Sequence, residues 1–223
     1  ETLRALEAVI VAHQKAAQVF RNRPTIFKGQ TIESGAEWEG YNDAIGTRWA
    51  SPDITFTDRM TLHWGGPEVV LEHHPGPAPG AIWVSIPEEQ IIFVGDAVVP
   101  DQPPFLSNAE PEAWLETLDL LYTGYKNYLI ISGRAGLIPR EAIRAQVSHL
   151  KKISKQMDRL ATKNASPEMT EDLIPRLLSD LTYPPELHEK YVHRLRAGLY
   201  QYYNRQYRSQ STFEPGEIEE SLE

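Results

Sequence analysis

The sequence predicts a mixed α/β fold, in which a sheet of short strands is layered with amphipathic helices and followed by a helical extension. Four strand-like runs between residues 54 and 99 are separated by Gly and Pro turns at intervals of about ten residues, which is typical of a meandering sheet. A helical pattern and a further buried strand follow, so strand, helix and strand form one α/β layer. From residue 139 onward, apolar residues recur at helical spacing.

The first 50 residues combine a short strand with an irregular segment. Leu3 and Leu6 lie at helical spacing, and the β-branched run AVIVAH, which ends at His13, suits a buried strand. Residues 21–50 are rich in Gly and aromatic residues, so we expect loops or short helices there.

Four runs from residue 54 onward are rich in the apolar residues that favour strands, which occur there at alternating or consecutive positions. They are ITFTDRMTLHW (54–64), EVVLEHH (68–74), AIWVSIP (81–87) and QIIFVGDAVV (90–99). In the segment 110–125, Trp114, Leu118 and Leu121 fall on one helical face, and NYLIIS (127–132) predicts another buried strand. Residues 139–164 predict one long amphipathic helix with the apolar residues Ile143, Val147, Leu150, Ile153, Met157 and Leu160.

These patterns divide the chain into three parts. Residues 1–164 hold the α/β unit, residues 165–207 form a helical extension, and residues 208–223 form an acidic tail that we expect to be disordered. Within the extension, Ser166 is a helix-cap signal, and a last helix is entered through Pro184 and Pro185.

Composition narrows the classes of partner and ligand. The net charge of −9 disfavours nucleic acid and anionic membranes as partners, because both require a clustered positive field. The chain has no Cys, so any metal must be held by His, Asp or Glu. No apolar run is long enough to span a bilayer and no signal-peptide pattern is present, which is typical of a cytoplasmic protein.

The segment VVLEHHPGPAPGAIWVSIPEEQIIFVGDAVV, followed by a helix and YLIISGRAG, resembles the second half of the metallo-β-lactamase fold superfamily. In that family a strand leads to a loop of the form H-x-P-G-H-[TS]-x-G, two further strands lead to G-D, and a later strand ends in a P-G-H-G-like turn. The turn glycines Gly76, Gly80, Gly95 and Gly133 fit this layout. The resemblance covers about residues 1–150 and implies an αββα sandwich whose strand ends usually hold one or two divalent metals, most often zinc or iron. If the site of this chain is functional, we expect zinc, iron or manganese there; otherwise we expect no cofactor.

The resemblance implies specific roles for the residues of this site. Asp96 matches the bridging carboxylate ligand, whereas Pro77 and Arg134 occupy positions where the family has ligand histidines. Proline has no donor atom, and the cationic arginine repels a metal. The other residues of the site loops are His73, His74, Gly76, Gly95 and Gly133.

The main signature of the family, H-x-H-x-D-H, occurs nowhere in this sequence. We expect a further N-terminal part of the fold, or another polypeptide, to complete the sandwich, because a single layer leaves one sheet face in water.

Several residues have alternative interpretations. Asp96 is either a metal ligand or a strand-end carboxylate that Arg134 binds in a fork in place of the metal charge. One of His73 and His74 could approach the metal instead, although strand geometry lets only one of them face the site. His13 is expected to be a hydrogen-bonded strand-end residue. His188 and His193 are five residues apart and do not share a helical face.

The sequence therefore predicts a hydrolase-like protein with a degenerate metal site and weak or absent metal-dependent hydrolysis. One alternative is an active metal-dependent hydrolase of an ester, thioester, lactone or phosphoester, with ligands from a further N-terminal segment. Another is a non-catalytic scaffold, or a sensor that binds a small acidic ligand through Arg134. The tyrosines of the last helix suit core packing or a homo-oligomer contact: Tyr191, Tyr200, Tyr202, Tyr203 and Tyr207.

Overall fold

The computed structural model describes residues 8–22 and 50–208. The predictions made for residues 1–7, for most of the irregular segment after residue 21 and for the acidic tail from residue 209 fall outside these residues.

The described residues form a mixed α/β structure, as predicted, with eight strands and five α-helices. The strands are β1 (Val11–His13), β2 (Ile54–Phe56), β3 (Arg59–Leu62), β4 (Val69–His73), β5 (Ile82–Ile86), β6 (Ile91–Gly95), β7 (Leu129–Ser132) and β8 (Gly136–Ile138). The α-helices are α1 (Gln14–Asn22), α2 (Pro111–Gly124), α3 (Arg140–Thr162), α4 (Ile174–Leu178) and α5 (His188–Tyr203). Short 3-10 helices cover Pro87–Glu89, Pro167–Leu173 and Pro185–Leu187, and a π-helical turn covers Asn204–Arg208.

Six strands form one sheet in sequence order from β3 to β8. Strands β3 to β6 make the predicted antiparallel meander. Strand β7 lies parallel to β6, because α2 carries the chain back across the sheet between them, and β8 returns antiparallel to β7. This topology brings the ends of β6 and β7 to the same edge of the sheet.

The prediction of a single strand over residues 54–64 was wrong. The run is divided into β2, which pairs in parallel with β1, and β3, which starts the six-stranded sheet. The Asp53 carboxylate accepts a hydrogen bond from the Ile10 amide at 2.9 Å and holds β2 beside β1. After β2, the Asp58 carbonyl accepts a hydrogen bond from the His73 amide at 2.8 Å, which directs the chain to the second sheet.

The two faces of the six-stranded sheet differ in burial. One cross-strand row is buried under the helices: Val70, Ser85, Ile92, Ile130 and Ile138. The opposite row is also apolar: Met60, Leu71, Val84, Phe93, Ile131 and Leu137. In the part of the chain that the structure describes, Phe93 remains 41% exposed and Leu137 65% exposed. A large apolar sheet face is normally covered by a second layer. The expectation that a further N-terminal part or another polypeptide completes the sandwich stays a prediction.

The helices α2 and α3 supply the layer that covers the buried face. Trp114, Leu118 and Leu121 are fully buried, as their spacing predicted. The apolar residues predicted for the long helix also point inward, four of them fully buried: Ile143, Leu150, Ile153 and Met157. These side chains belong to one continuous hydrophobic cluster with the sheet.

The C-terminal extension packs on the same cluster through Ile174, Leu177 and Leu195. The stretch after Ser166, predicted to be helical, is mostly 3-10 helix and ends in the five residues of α4. Pro175 near the start of α4 has no amide hydrogen to extend a regular helix backward. Within the described residues, no helix combines the length and apolarity needed to span a bilayer.

The tyrosines of the last helix are mainly packing residues. Tyr191, Tyr202 and Tyr203 are buried in the core, whereas Tyr200 is 43% exposed. A homo-oligomer contact through this helix stays a prediction.

Candidate functional site

The candidate site lies where three loops meet at one edge of the sheet. The loop after β4 carries Pro77, the turn after β6 carries Asp96, and the turn after β7 carries Arg134. The structure thus brings together the three positions singled out in the sequence.

The loop after β4 is held by close backbone packing at its glycines. A Cβ atom at Gly76 would lie 2.8 Å from the ring of Trp114, and one at Gly80 would lie 2.6 Å from the Ala16 backbone nitrogen. The Gly76 carbonyl also accepts a hydrogen bond from the Glu110 amide at 2.8 Å. Only glycine permits such approaches, so the loop shape depends on these two positions.

The turn that carries Asp96 is anchored from several directions. Gly95 has a φ of +56°, which favours glycine, and its carbonyl accepts a hydrogen bond from the Gly133 amide at 2.8 Å. Trp114 Nε1 donates to the Ala97 carbonyl at 2.9 Å, and Ser132 Oγ donates to the Val98 carbonyl at 2.7 Å. The backbone around Asp96 is therefore fixed by buried groups.

Arg134 binds Asp96 in a fork, which is the second of the two alternatives that the sequence left open for Asp96. Arg134 Nε donates to Asp96 Oδ1 at 3.0 Å, and Nη2 donates to Oδ2 at 3.4 Å. The two side chains are 25% and 35% exposed, so the ion pair lies partly within the protein. The Arg134 guanidinium also stacks on the Phe105 ring, 4.5 Å from the ring centroid.

A cavity of about 340 Å³ opens beside this ion pair. Pro77 and Asp96 lie in its wall, and most of the remaining lining is apolar: Ala78, Ala81, Ile82, Val94, Gly95 and Phe105. Ser107 and Asn108 add polar groups. This is enough space for a small organic molecule.

The residues at this site do not fit a divalent metal. Pro77 has no donor atom, Arg134 places a cation at a ligand position, and both Asp96 oxygens already accept hydrogen bonds from Arg134. Among residues 8–22 and 50–208, no group of three or more His, Asp or Glu side chains could hold a metal ion.

The histidines near the loop have other contacts. His73 Nε2 lies 2.8 Å from the Pro79 carbonyl, and its ring stacks on His13 at 3.7 Å between centroids. His13 Nε2 lies 2.8 Å from the Thr57 carbonyl, which makes it the hydrogen-bonded strand-end residue that we expected. His74 stacks on Trp83 at 3.9 Å. Neither His73 nor His74 lines the cavity, and His188 contacts Tyr183 in the distant extension.

These histidine contacts predict a loss of stability on acidification. Burial lowers the pKa of both His13 and His74 from 6.5, and the neighbouring His73 adds to the effect. As the pH falls, these histidines therefore bind protons in the unfolded chain before they do so in the folded protein. We expect the free energy of unfolding to fall as the pH drops below about 6.5. Denaturant unfolding at about pH 7.5 and about pH 5.5 would measure this.

A glutamine at position 13 should flatten the pH dependence, because it removes one titrating group while keeping a hydrogen-bonding side chain. The matched control is the same substitution at the exposed Trp64, which carries no titrating group, and Trp64→Gln should leave the slope unchanged. An equal slope in His13→Gln and the unsubstituted protein would contradict this assignment.

Sequence reasoning missed the segment that forms one wall of the cavity. Phe105 lies in the proline-rich stretch DQPPFLSN, which has neither helical nor strand periodicity. Arg194 from α5 stacks on Phe105 at 4.1 Å and donates through Nη1 to the Pro103 carbonyl at 3.0 Å. Arg205 also donates to the Ala109 carbonyl at 2.6 Å. The extension therefore holds this wall. Arg194 gave no signal in the sequence, because it is one of several charged residues in the segment 188–203.

Comparison with known proteins adds a family match and several structural likenesses. Residues 3–135 match the profile of the metallo-beta-lactamase superfamily. No curated protein sequence matches the chain significantly.

Three solved structures illustrate the likeness in fold. A metallo-beta-lactamase family protein from Thermus thermophilus has a TM-score of 0.59 at 16% identity over 94% of this chain and 69% of that protein. A metallo-beta-lactamase from Pontibacter korlensis has a TM-score of 0.52 at 15% identity over 67% of this chain and 61% of its own. The stereoselective inverting sec-alkylsulfatase Pisa1 from Pseudomonas sp. has a TM-score of 0.55 at 12% identity over 92% of this chain and 37% of its own.

This chain thus spans less than two thirds of the length of the Pontibacter protein and little more than one third of the alkylsulfatase. At these identities the likeness shows a shared fold.

Proposed function

This chain belongs to the metallo-beta-lactamase superfamily, and we propose that it is a hydrolase-like member with a degenerate metal site, which binds a small molecule with little or no metal-dependent hydrolysis.

The fork between Arg134 and Asp96 is the observation that carries this proposal. In a metal-dependent site, a carboxylate supplies negative charge that the cation balances. Here the guanidinium balances that charge instead, and it uses both carboxylate oxygens to do so. A metal ion would have to displace Arg134 and would gain only one protein ligand among the three positions.

The cavity beside the fork supports a binding role. Its lining is mainly apolar, and the charge of Asp96 is compensated by Arg134. A small, mainly apolar molecule with a polar end suits such a lining better than a strongly charged one, because a bare charge would lose its hydration without a free counter-charge. A small acidic ligand would need to compete with Asp96 for Arg134.

The test is metal binding by three proteins: the unsubstituted chain, Asp96→Ala, and the double variant Pro77→His with Arg134→His. Elemental analysis after purification measures the bound metal of each protein, and titration calorimetry with zinc measures its affinity. We expect no stoichiometric metal in the first two proteins, and zinc binding in the double variant, because two histidines and Asp96 then present three donors at one site.

The matched control carries the same two histidines at exposed positions away from the site, Leu120→His and Leu129→His, and should bind no zinc. Stoichiometric metal in the unsubstituted protein that is lost in Asp96→Ala would overturn the proposal. It would favour the alternative of an active hydrolase, to be assayed with esters, thioesters, lactones and phosphoesters.

A further inference from the structure

A second cavity, of about 370 Å³, lies between α3 and the chain segment that follows Asp96. Its lining includes Val99, Asp101, Gln146, His149, Lys152 and Asp180. It differs from the first cavity, with which it shares no lining residue.

Gln146 presents to this cavity a donor that no described residue uses. Its side chain is only 6% exposed, and its Oε1 accepts a hydrogen bond from the Val99 amide at 3.2 Å. Because an amide hydrogen must meet an acceptor, this bond fixes which end of the side-chain amide is oxygen. The Nε2 group is buried and has no hydrogen-bond partner among the described residues.

His149, about one helical turn after Gln146 in α3, also has a buried side-chain nitrogen. Its Nε2 is also buried without a hydrogen-bond partner in the described parts of the chain. Residues three apart on a helix lie on the same face, so both nitrogens belong to one stripe that lines the cavity. Leaving a buried polar nitrogen without a hydrogen bond is unfavourable, and Gln146 Nε2 can only donate, so these two groups in one cavity indicate a ligand with an acceptor.

Charged groups complete the lining. Lys152 forms an ion pair with Asp180, and Asp101 contributes a second carboxylate. The two carboxylates exceed the single ammonium, so a simple anion would be repelled overall. A ligand with both an anionic and a cationic group suits this lining. Its anionic group can accept hydrogen bonds from the buried nitrogens, and its cationic group can lie near the carboxylates.

We propose that this cavity binds a free α-amino acid with a small aliphatic side chain. Its carboxylate accepts hydrogen bonds from Gln146 Nε2 and His149 Nε2, and its ammonium faces Asp101. The aliphatic part of the cavity suits the ligand side chain: Val99, Pro100, Ala142, Ala145 and Leu181. Burial lowers the pKa of His149, which keeps the ring neutral at neutral pH, so one ring nitrogen carries a hydrogen and can donate from Nε2.

The site is connected to the first cavity through the backbone. Gln146 holds Val99, which lies three residues after Asp96. The proposal is nevertheless independent of the function proposed above, since neither Asp96 nor Arg134 takes part in it.

The experiment is a thermal-shift screen of the full chain with the standard amino acids, followed by titration calorimetry of each compound that raises the melting temperature. We expect a small aliphatic amino acid to bind, and the corresponding carboxylic acid without the amino group to bind at least about tenfold more weakly.

The decisive variant is Gln146→Glu, which keeps the acceptor for the Val99 amide while replacing the donor with a second oxygen. It should lose at least about tenfold in affinity, whereas Gln156→Glu on the same helix, outside the cavity, should bind as the unsubstituted protein does. Circular dichroism would check that both variants fold. Absence of binding by every amino acid, which would leave only water in the cavity, or unchanged affinity in folded Gln146→Glu would overturn the proposal.

Discussion

Replacing Trp114 with alanine is expected to lower the free energy of unfolding by about 3–5 kcal/mol, the range for deleting a large buried aromatic side chain. Trp114 is fully buried, and its ring lies against Gly76 in the loop after β4. Its Nε1 donates to the Ala97 carbonyl in the turn after Asp96. One side chain of α2 thus supports two of the three loops of the candidate site.

Denaturant unfolding measures this effect. Trp114→Phe separates the two contributions, because it keeps most of the ring packing but leaves the Ala97 carbonyl without its donor; we expect an intermediate loss of stability. Leu120→Ala is the matched control, since Leu120 lies on the same helix but is 44% exposed. A loss no larger in Trp114→Ala than in Leu120→Ala would show that Trp114 does not support the loops.

Replacing Arg194 with alanine is expected to lower the free energy of unfolding by roughly 3 kcal/mol, because a buried charged hydrogen bond and aromatic stacking are lost together. Arg194 is 1% exposed, and its guanidinium lies 4.1 Å from the Phe105 centroid and 5.2 Å from that of Tyr191. It also donates to the Pro103 carbonyl. The segment that forms the cavity wall should therefore loosen when this side chain is removed.

Two measurements distinguish this effect from general destabilisation. Denaturant unfolding gives the total loss, and amide hydrogen exchange should accelerate in residues 105–109, which follow the two prolines, more than in β5 and β6. Arg196→Ala is the matched control, because Arg196 lies on the same helix in an exposed ion pair with Glu171, which contributes about 0–1 kcal/mol. Uniform acceleration across the sheet would contradict a local role for Arg194.

Much of the fold was predictable because its determinants are local. The spacing of Trp114, Leu118 and Leu121 predicted one buried helical face, and the β-branched runs predicted the strands of the meander. The fork at the candidate site was one of the two alternatives that the sequence left open for Asp96. A carboxylate and an arginine follow two strands that lie side by side in the sheet, so their chemical types already indicated an ion pair.

Other features depended on contacts between distant parts of the chain. The run over residues 54–64 has uniform strand composition, yet its two halves join different sheets because β1 and β4 supply different partners. The cavity wall at Phe105 has no periodic pattern, and its position is set by Arg194, 89 residues later in the sequence.

The sequence by itself determined the type and order of the main elements, the family, and the absence of metal donors at positions 77 and 134. Each of these depends on residue identity or on spacing over a few turns of chain. Only the tertiary structure decided that Arg134 reaches both oxygens of Asp96 and that Trp114 supports two loops. It also decided that Gln146 and His149 present to a second cavity nitrogens that have no hydrogen-bond partner among the described residues. These features are distances between side chains from different elements, and packing of the whole core sets such distances.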